Sequence, residues 1–138
     1  MTERQASGAA IAFEQVEKGF DDRKVLDKVS FTVAAGEALC ILGRSGTGKS
    51  VTLKLMIGLL TADAGKVLVE GDDMATLDED GLMRVRRKMG YLFQSAALFD
   101  SFTLNQNLAM PLHRLAPNKS PEEVKRAVEE TLGQVGLG

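Results

Sequence analysis

The chain has little that would staple it, anchor it or give it one strong charge. Its 138 residues hold no tryptophan, one tyrosine, one histidine, one cysteine and three prolines. A single cysteine excludes a disulfide framework or a cysteine-based metal site within the chain and fits a reducing compartment. No apolar run approaches the ~20 residues of a membrane span. The polar start (MTERQASG) has no apolar signal-peptide core and reads as a loose leader. Seventeen Lys and Arg face nineteen Asp and Glu, for a net charge of −2 and a pI near 5.5. That balance suggests no nucleic-acid surface, and no nucleic-acid partner is expected. The basic run Arg84, Arg86, Arg87 and Lys88 is short and reads as a solvated helix face. There are no repeats and no low-complexity tract. What remains, 44% hydrophobic and 26% charged residues, is the make-up of one modest globular domain.

Glycine, by contrast, is placed with purpose. The run Gly43-Arg44-Ser45-Gly46-Thr47-Gly48-Lys49-Ser50 fits G-x-x-x-x-G-K-[ST], the phosphate-binding loop. At average residue usage a chance match arises roughly once in a few hundred sequences of this length. The flanks reduce chance further. Residues 37–42 (EALCIL) read as a buried strand and residues 51–60 (VTLKLMIGLL) as a buried helix. Gly43, Gly46 and Gly48 are expected to take φ > 0 and to bring backbone close to an anion. The N–H groups of the loop, with Arg44, Ser45 and Thr47, then point into one concavity. The first helical turn through Val51 adds unpaired N–H groups and a positive dipole end. Lys49 is placed to reach the β- and γ-phosphates and the Ser50 hydroxyl to ligate Mg²⁺.

Around the loop, residues 11–16 and 25–33 read as strands, with residues 34–36 turning into the loop strand. Residues 61–65 break the pattern, 66–70 form a strand and Gly71-Asp72 a turn. Residues 82–88 predict a short helix and 89–93 another buried strand ending at Gln94. Cys40, inside the loop strand, is expected to be a small core residue. Residues 96–119, with Pro111 and Pro117, look like a loop plus a short helix. Ser120, Pro121 and Glu123 form a capping-box helix start, followed by Val124, Ala127, Val128, Leu132 and Val135 at helical spacing. The fold class is α/β: a P-loop NTPase core with an antiparallel β-subdomain and the start of an α-helical subdomain.

These stretches resemble the N-terminal half of an ABC-transporter ATPase subunit. Residues 24–37 are similar to the family's strand pair before the loop, 62–71 to its next hairpin, and 89–94 (MGYLFQ) to the strand ending in the Q-loop glutamine. The resemblance covers nearly all of residues 11–138. More narrowly, residues 43–52 and 93–104 look like those of Mla/Mce-type phospholipid-transport ATPases. The resemblance implies a leader over 1–10, a nucleotide-binding core with P-loop and Q-loop over 11–95, and the start of a truncated helical subdomain over 96–138. It implies ATP and Mg²⁺ as cofactors. It places Phe20 where the family stacks an aromatic on adenine, with a plain core residue as the alternative. It places Gln94 on Mg²⁺ and the attacking water, so that Lys49 and Gln94 are the catalytic candidates, and Ser50 and Gln94 the metal candidates. Leu98, Phe99, Phe102 and Leu104 would meet a transmembrane permease subunit, or alternatively form a locally buried loop. A second ATPase subunit would complete a dimer. Localisation would be cytoplasmic, peripheral on the inner face of the plasma membrane.

The family's signature motif, catalytic glutamate and switch histidine all belong beyond Gly138. Three local patterns do not replace them. Residues 96–100 (AALFD) mimic an apolar strand ending in a metal-binding aspartate, but Ser101 follows where a glutamate is needed. His113, the one histidine, precedes the switch position and reads as a surface residue. Asp78-Glu79-Asp80-Gly81 matches D-x-x-G but follows no apolar strand, and Asn118 to Pro121 lacks a guanine-reading aspartate. The reading is therefore an ABC-type ATPase when complete, with this chain alone inactive. A short nucleotide-binding regulatory module, or another P-loop phosphotransferase such as a small-molecule kinase, are the alternatives.

Overall fold

A long antiparallel hairpin opens the structure, β1 (Ala9–Phe20) pairing with β2 (Arg23–Ala34). The computed structural model describes residues 8–94 and 97–137. Most of the leader (1–7), Ser95 and Ala96 of the AALFD pattern, and Gly138 lie outside the described residues. After the glycine loop come α1 (Lys49–Met56), β3 (Ala64–Val69), the two-residue β4 (Asp72–Asp73) and α2 (Glu79–Arg86). The four strands form one antiparallel sheet in the order β2-β1-β3-β4. β-Branched and aromatic residues at alternate positions give the sheet one buried face. Phe13, Val16, Leu26, Val67 and Val69 meet Leu55 and Met56 of α1 and Val85 of α2 there. Phe13 stacks on Phe31 across the hairpin with ring centroids 4.6 Å apart. These elements make one compact unit ending at Tyr91, and a second begins at Leu92.

The second unit is a helical hairpin, α3 (Leu104–Leu115) and α4 (Pro121–Gln134). Both helices start with reciprocal capping boxes. Thr103 and Gln106 exchange bonds at α3, Ser120 and Glu123 at α4. The expected short helix is thus twelve residues long and carries Pro111 within it.

Three expectations are corrected. Residues 37–42 form no strand and are not buried: Cys40 is exposed and Leu42 is 86% exposed. Residues 89–93 likewise form no strand, and Leu92 is 94% exposed. A strand exists through its ladder, and apolar runs of this kind belong to sheets covered on both sides. Among the described residues the sheet has four strands, and neither run is one of them. The helix expected to reach residue 60 ends at Met56 because Gly58 takes φ +66. Gly58 N donates to Leu55 O and Leu59 N to Lys54 O, which is a Schellman stop.

Candidate nucleotide-binding site

The loop runs from the end of the 37–42 segment into α1, whose N-cap is Gly48. Gly46 and Gly48 have φ +78 and +94, conformations costly for any residue with a Cβ. Gly43 does not, contrary to expectation. It is glycine for space: a Cβ there would stand 2.6 Å from Thr47 Oγ1. Thr47 Oγ1 itself donates to Arg44 O at 2.8 Å, closing the loop on itself. Gly48 is buried against Val25 and Leu26 of β2, so the sheet braces the loop from below.

Lys49 Nζ donates to Gly43 O and Arg44 O, both at 2.7 Å. The ammonium is thereby held within the mouth of the loop. Arg44, Ser45, Gly46, Thr47 and Ser50 are exposed, and Val51 is half-buried. No side chain caps the N-terminus of α1 and its first turn carries no acidic residue. Its first N–H groups therefore retain their capacity for an anion. Left-handed glycines, an uncapped helix start and a tethered lysine together fit a phosphate chain. Thr52, the one buried polar or charged residue among the described residues, donates its hydroxyl to Gly48 O at 3.0 Å. Among the described residues no cluster of three His, Cys, Asp or Glu side chains stands ready for a metal ion. The donor set at Ser50 suits Mg²⁺, which keeps water and phosphate oxygens as most of its ligands.

Phe20 ends β1 and is 42% exposed, with Lys18 Nζ 5.6 Å from its ring centroid. It is paired in register with Arg23, and opposed residues share a face of the sheet. This end of β2 meets the loop: Val25 and Leu26 lie against Gly48 and the Arg23 guanidinium lies nearest Gly46. The structure thus brings the Phe20 end of the hairpin and the glycine loop together. Asp63 fixes that end, accepting from Gly19 N at 2.7 Å and Lys18 Nζ at 2.6 Å. These two donors hold its carboxyl below the usual carboxylate value. A groove of about 540 Å³ runs beneath the loop, lined by Leu26, Phe31, Leu39, Ile41 and Lys49 among others, with no carboxylate in its wall.

Gln94 belongs to the second unit, in an exposed bend. In that unit Leu98, Phe99, Phe102 and Leu104 are all exposed, against the alternative of a buried loop. Asn107 organises them. Its Oδ1 accepts from Phe99 N at 2.8 Å, and its Nδ2 donates to Phe99 O, Phe102 O and Thr103 O. His113 is exposed on α3. The D-x-x-G look-alike is a helix cap, with Asp78 Oδ1 accepting from Gly81 N at 2.8 Å.

A family model for ABC transporters matches residues 26–138. The probable ribonucleotide transport ATP-binding protein mkl of Mycobacterium tuberculosis is 39% identical over 137 residues, covering 99% of this chain and 38% of that protein. The methionine import ATP-binding protein MetN of Rhizobium johnstonii is 41% identical over 132 residues, covering 96% and 36%. The dimeric ATP-binding cassette MJ0796, in a post-hydrolysis state bound to ADP and Pi, superposes with a TM-score of 0.81 at 28% identity, over 93% of this chain and 58% of that one. The chain spans well under half the length of these curated relatives. No helix among the described residues is long and apolar enough to cross a membrane. The glycine loop, the antiparallel sheet that braces it and these likenesses lead to one conclusion: the chain belongs to the ABC transporter family and is similar to its ATP-binding subunits.

Proposed function

We propose that this chain holds Mg-ATP for a transport subunit that, in its complete form, hydrolyses it. The carrying observation is the Lys49 ammonium tethered by two loop carbonyls beside an uncapped helix start. On phosphate binding, Lys49 exchanges these acceptors for phosphate oxygens with little displacement of its chain. The loop N–H groups of 44–48 and the first turn through Val51 orient the phosphates, and Phe20 offers a face for adenine. Bound at Ser50, Mg²⁺ supplies charge neutralisation at the terminal phosphates. Gln94 is assigned to the water and metal by the family resemblance alone.

Support for the wider reading is the company the chain keeps. A structural neighbour is dimeric and holds ADP and Pi, which favours a two-subunit arrangement. The exposed patch at Leu98, Phe99, Phe102 and Leu104 suits a permease partner, which would hold the subunit on the inner face of the plasma membrane. The phospholipid cargo rests on the Mla/Mce-like sequence of 43–52 and 93–104, whereas the relatives are named for ribonucleotide and methionine.

Calorimetric titration with Mg-ATP and a steady-state ATPase assay test the proposal. The chain is expected to bind Mg-ATP and to turn it over negligibly. Lys49→Ala should weaken binding by about tenfold or more, the scale of a lost charge-assisted contact. Unchanged affinity would remove the assignment of Lys49, and sustained turnover abolished by that substitution would overturn the inactive reading.

A further inference from the structure

We infer that Arg23 is a further nucleotide-binding residue, contacting the phosphates nearest the ribose rather than the terminal one. The inference rests on the Mg-ATP reading above. It starts from the register of two backbones. β2 has a register irregularity at Val25, between the Lys18–Leu26 and Gly19–Lys24 pairs, and there Arg23 and Val25 both come against the glycine loop. Val25 abuts Gly48, its Cγ1 3.1 Å from where a Cβ on that glycine would stand. Arg23 abuts Gly46, two residues earlier in the loop, its Nη2 3.9 Å from the corresponding point. The guanidinium therefore stands beside the middle of the phosphate cradle. Across the hairpin its register partner is Phe20, the candidate platform for the base. A group between the base and the Lys49 end of the loop faces the ribose-proximal phosphates.

The charge pattern points the same way. The other cations of this hairpin end are matched: Lys18 with Asp63 at 2.6 Å, Lys24 with Glu17 at 2.9 Å and with Asp27 at 3.0 Å. Arg23 lies between them, beside Asp21 and Asp22 in sequence, yet makes no ion pair or hydrogen bond among the described residues. Its planar fork of donors suits phosphate oxygens. The gap near Gly46 is open to it because glycine carries no side chain there.

The test measures affinity for Mg-ATP and Mg-ADP in the wild-type chain, Arg23→Ala, Arg23→Lys and Lys49→Ala, together with melting temperature without nucleotide. Arg23→Ala should weaken ATP and ADP by the same factor, about tenfold, with an unchanged melting temperature, and Arg23→Lys should restore part of the loss. A loss confined to ATP would place the guanidinium on the terminal phosphate and overturn the assignment. So would affinity within about twofold of wild type while Lys49→Ala loses binding, or a loss that comes with a lowered melting temperature and no rescue by lysine. If the wild-type chain binds neither nucleotide, the Mg-ATP reading fails and this inference with it.

Discussion

Asn107 shows how much one polar side chain can organise when the backbone around it is irregular. Its amide spans Phe99, Phe102 and Thr103, satisfying one N–H and three carbonyls of the loop that presents the apolar patch. Asn107→Ala leaves the Thr103–Gln106 capping box in place, so α3 should persist while the loop loosens. Hydrogen exchange at the Phe99 amide should accelerate, by a factor reflecting about 1 kcal/mol for a net hydrogen bond. Unchanged exchange there would mean the loop is held by its phenylalanines instead. Asn107 gave no signal in the sequence, because its role depends on where the chain before α3 turns back. Arg86 was equally silent. It was read with a solvated basic face, yet its Nε and Nη2 donate to Ile57 O and Gly58 O, both at 2.8 Å, across gaps of 29 and 28 residues. The phosphate loop, by contrast, was legible because its chemistry is local: each glycine, Lys49 and Ser50 acts within eight consecutive residues.

The elements divide by the same rule. The α4 start was legible because capping is a four-residue event, and the T-x-x-Q of Thr103 and Gln106 carries the same signal for α3. Glu123 is held below its ordinary value of 4.5, first by the Ser120 backbone N–H. A carboxyl with a lowered folded pKa stabilises fully above its unfolded pKa, and loses that contribution as pH falls through the folded one. The melting-temperature gap between wild type and Glu123→Ala should therefore be present near neutral pH and shrink as pH drops below the ordinary carboxylate value. A gap independent of pH would mean that packing, not the capping carboxylate, separates the two. Asp63, lowered chiefly by Lys18, puts the same sign on the β1–β3 junction. The strand readings at 37–42 and 89–93 failed for the opposite reason. Apolar composition marks what an element can cover, but a strand needs a place in a ladder, and neither run is a strand of the described sheet.

At the scale of the molecule, these two runs leave an unusual surface for an ordinary composition. Leu39 and Leu42 of the first unit and Leu92 and Phe93 of the second are all exposed, while the sheet's own core is well closed around Phe13, Val16 and Leu55. Exposed apolar side chains of this kind invite association between chains. Light scattering should show concentration-dependent association that Leu42→Ser with Leu92→Ser reduces, with little change in melting temperature because neither side chain is buried. Equal association in the double variant would place the sticky surface elsewhere, as at the Leu98–Leu104 patch. The exposed run also carries Cys40, the only cysteine of the chain, which lines the groove beneath Gly43 and Lys49. That position makes it a ready-made attachment point for a thiol-specific fluorophore. A reporter dye there would sit three residues before the glycine loop, and its emission would read out the arrival of nucleotide without a single engineered residue.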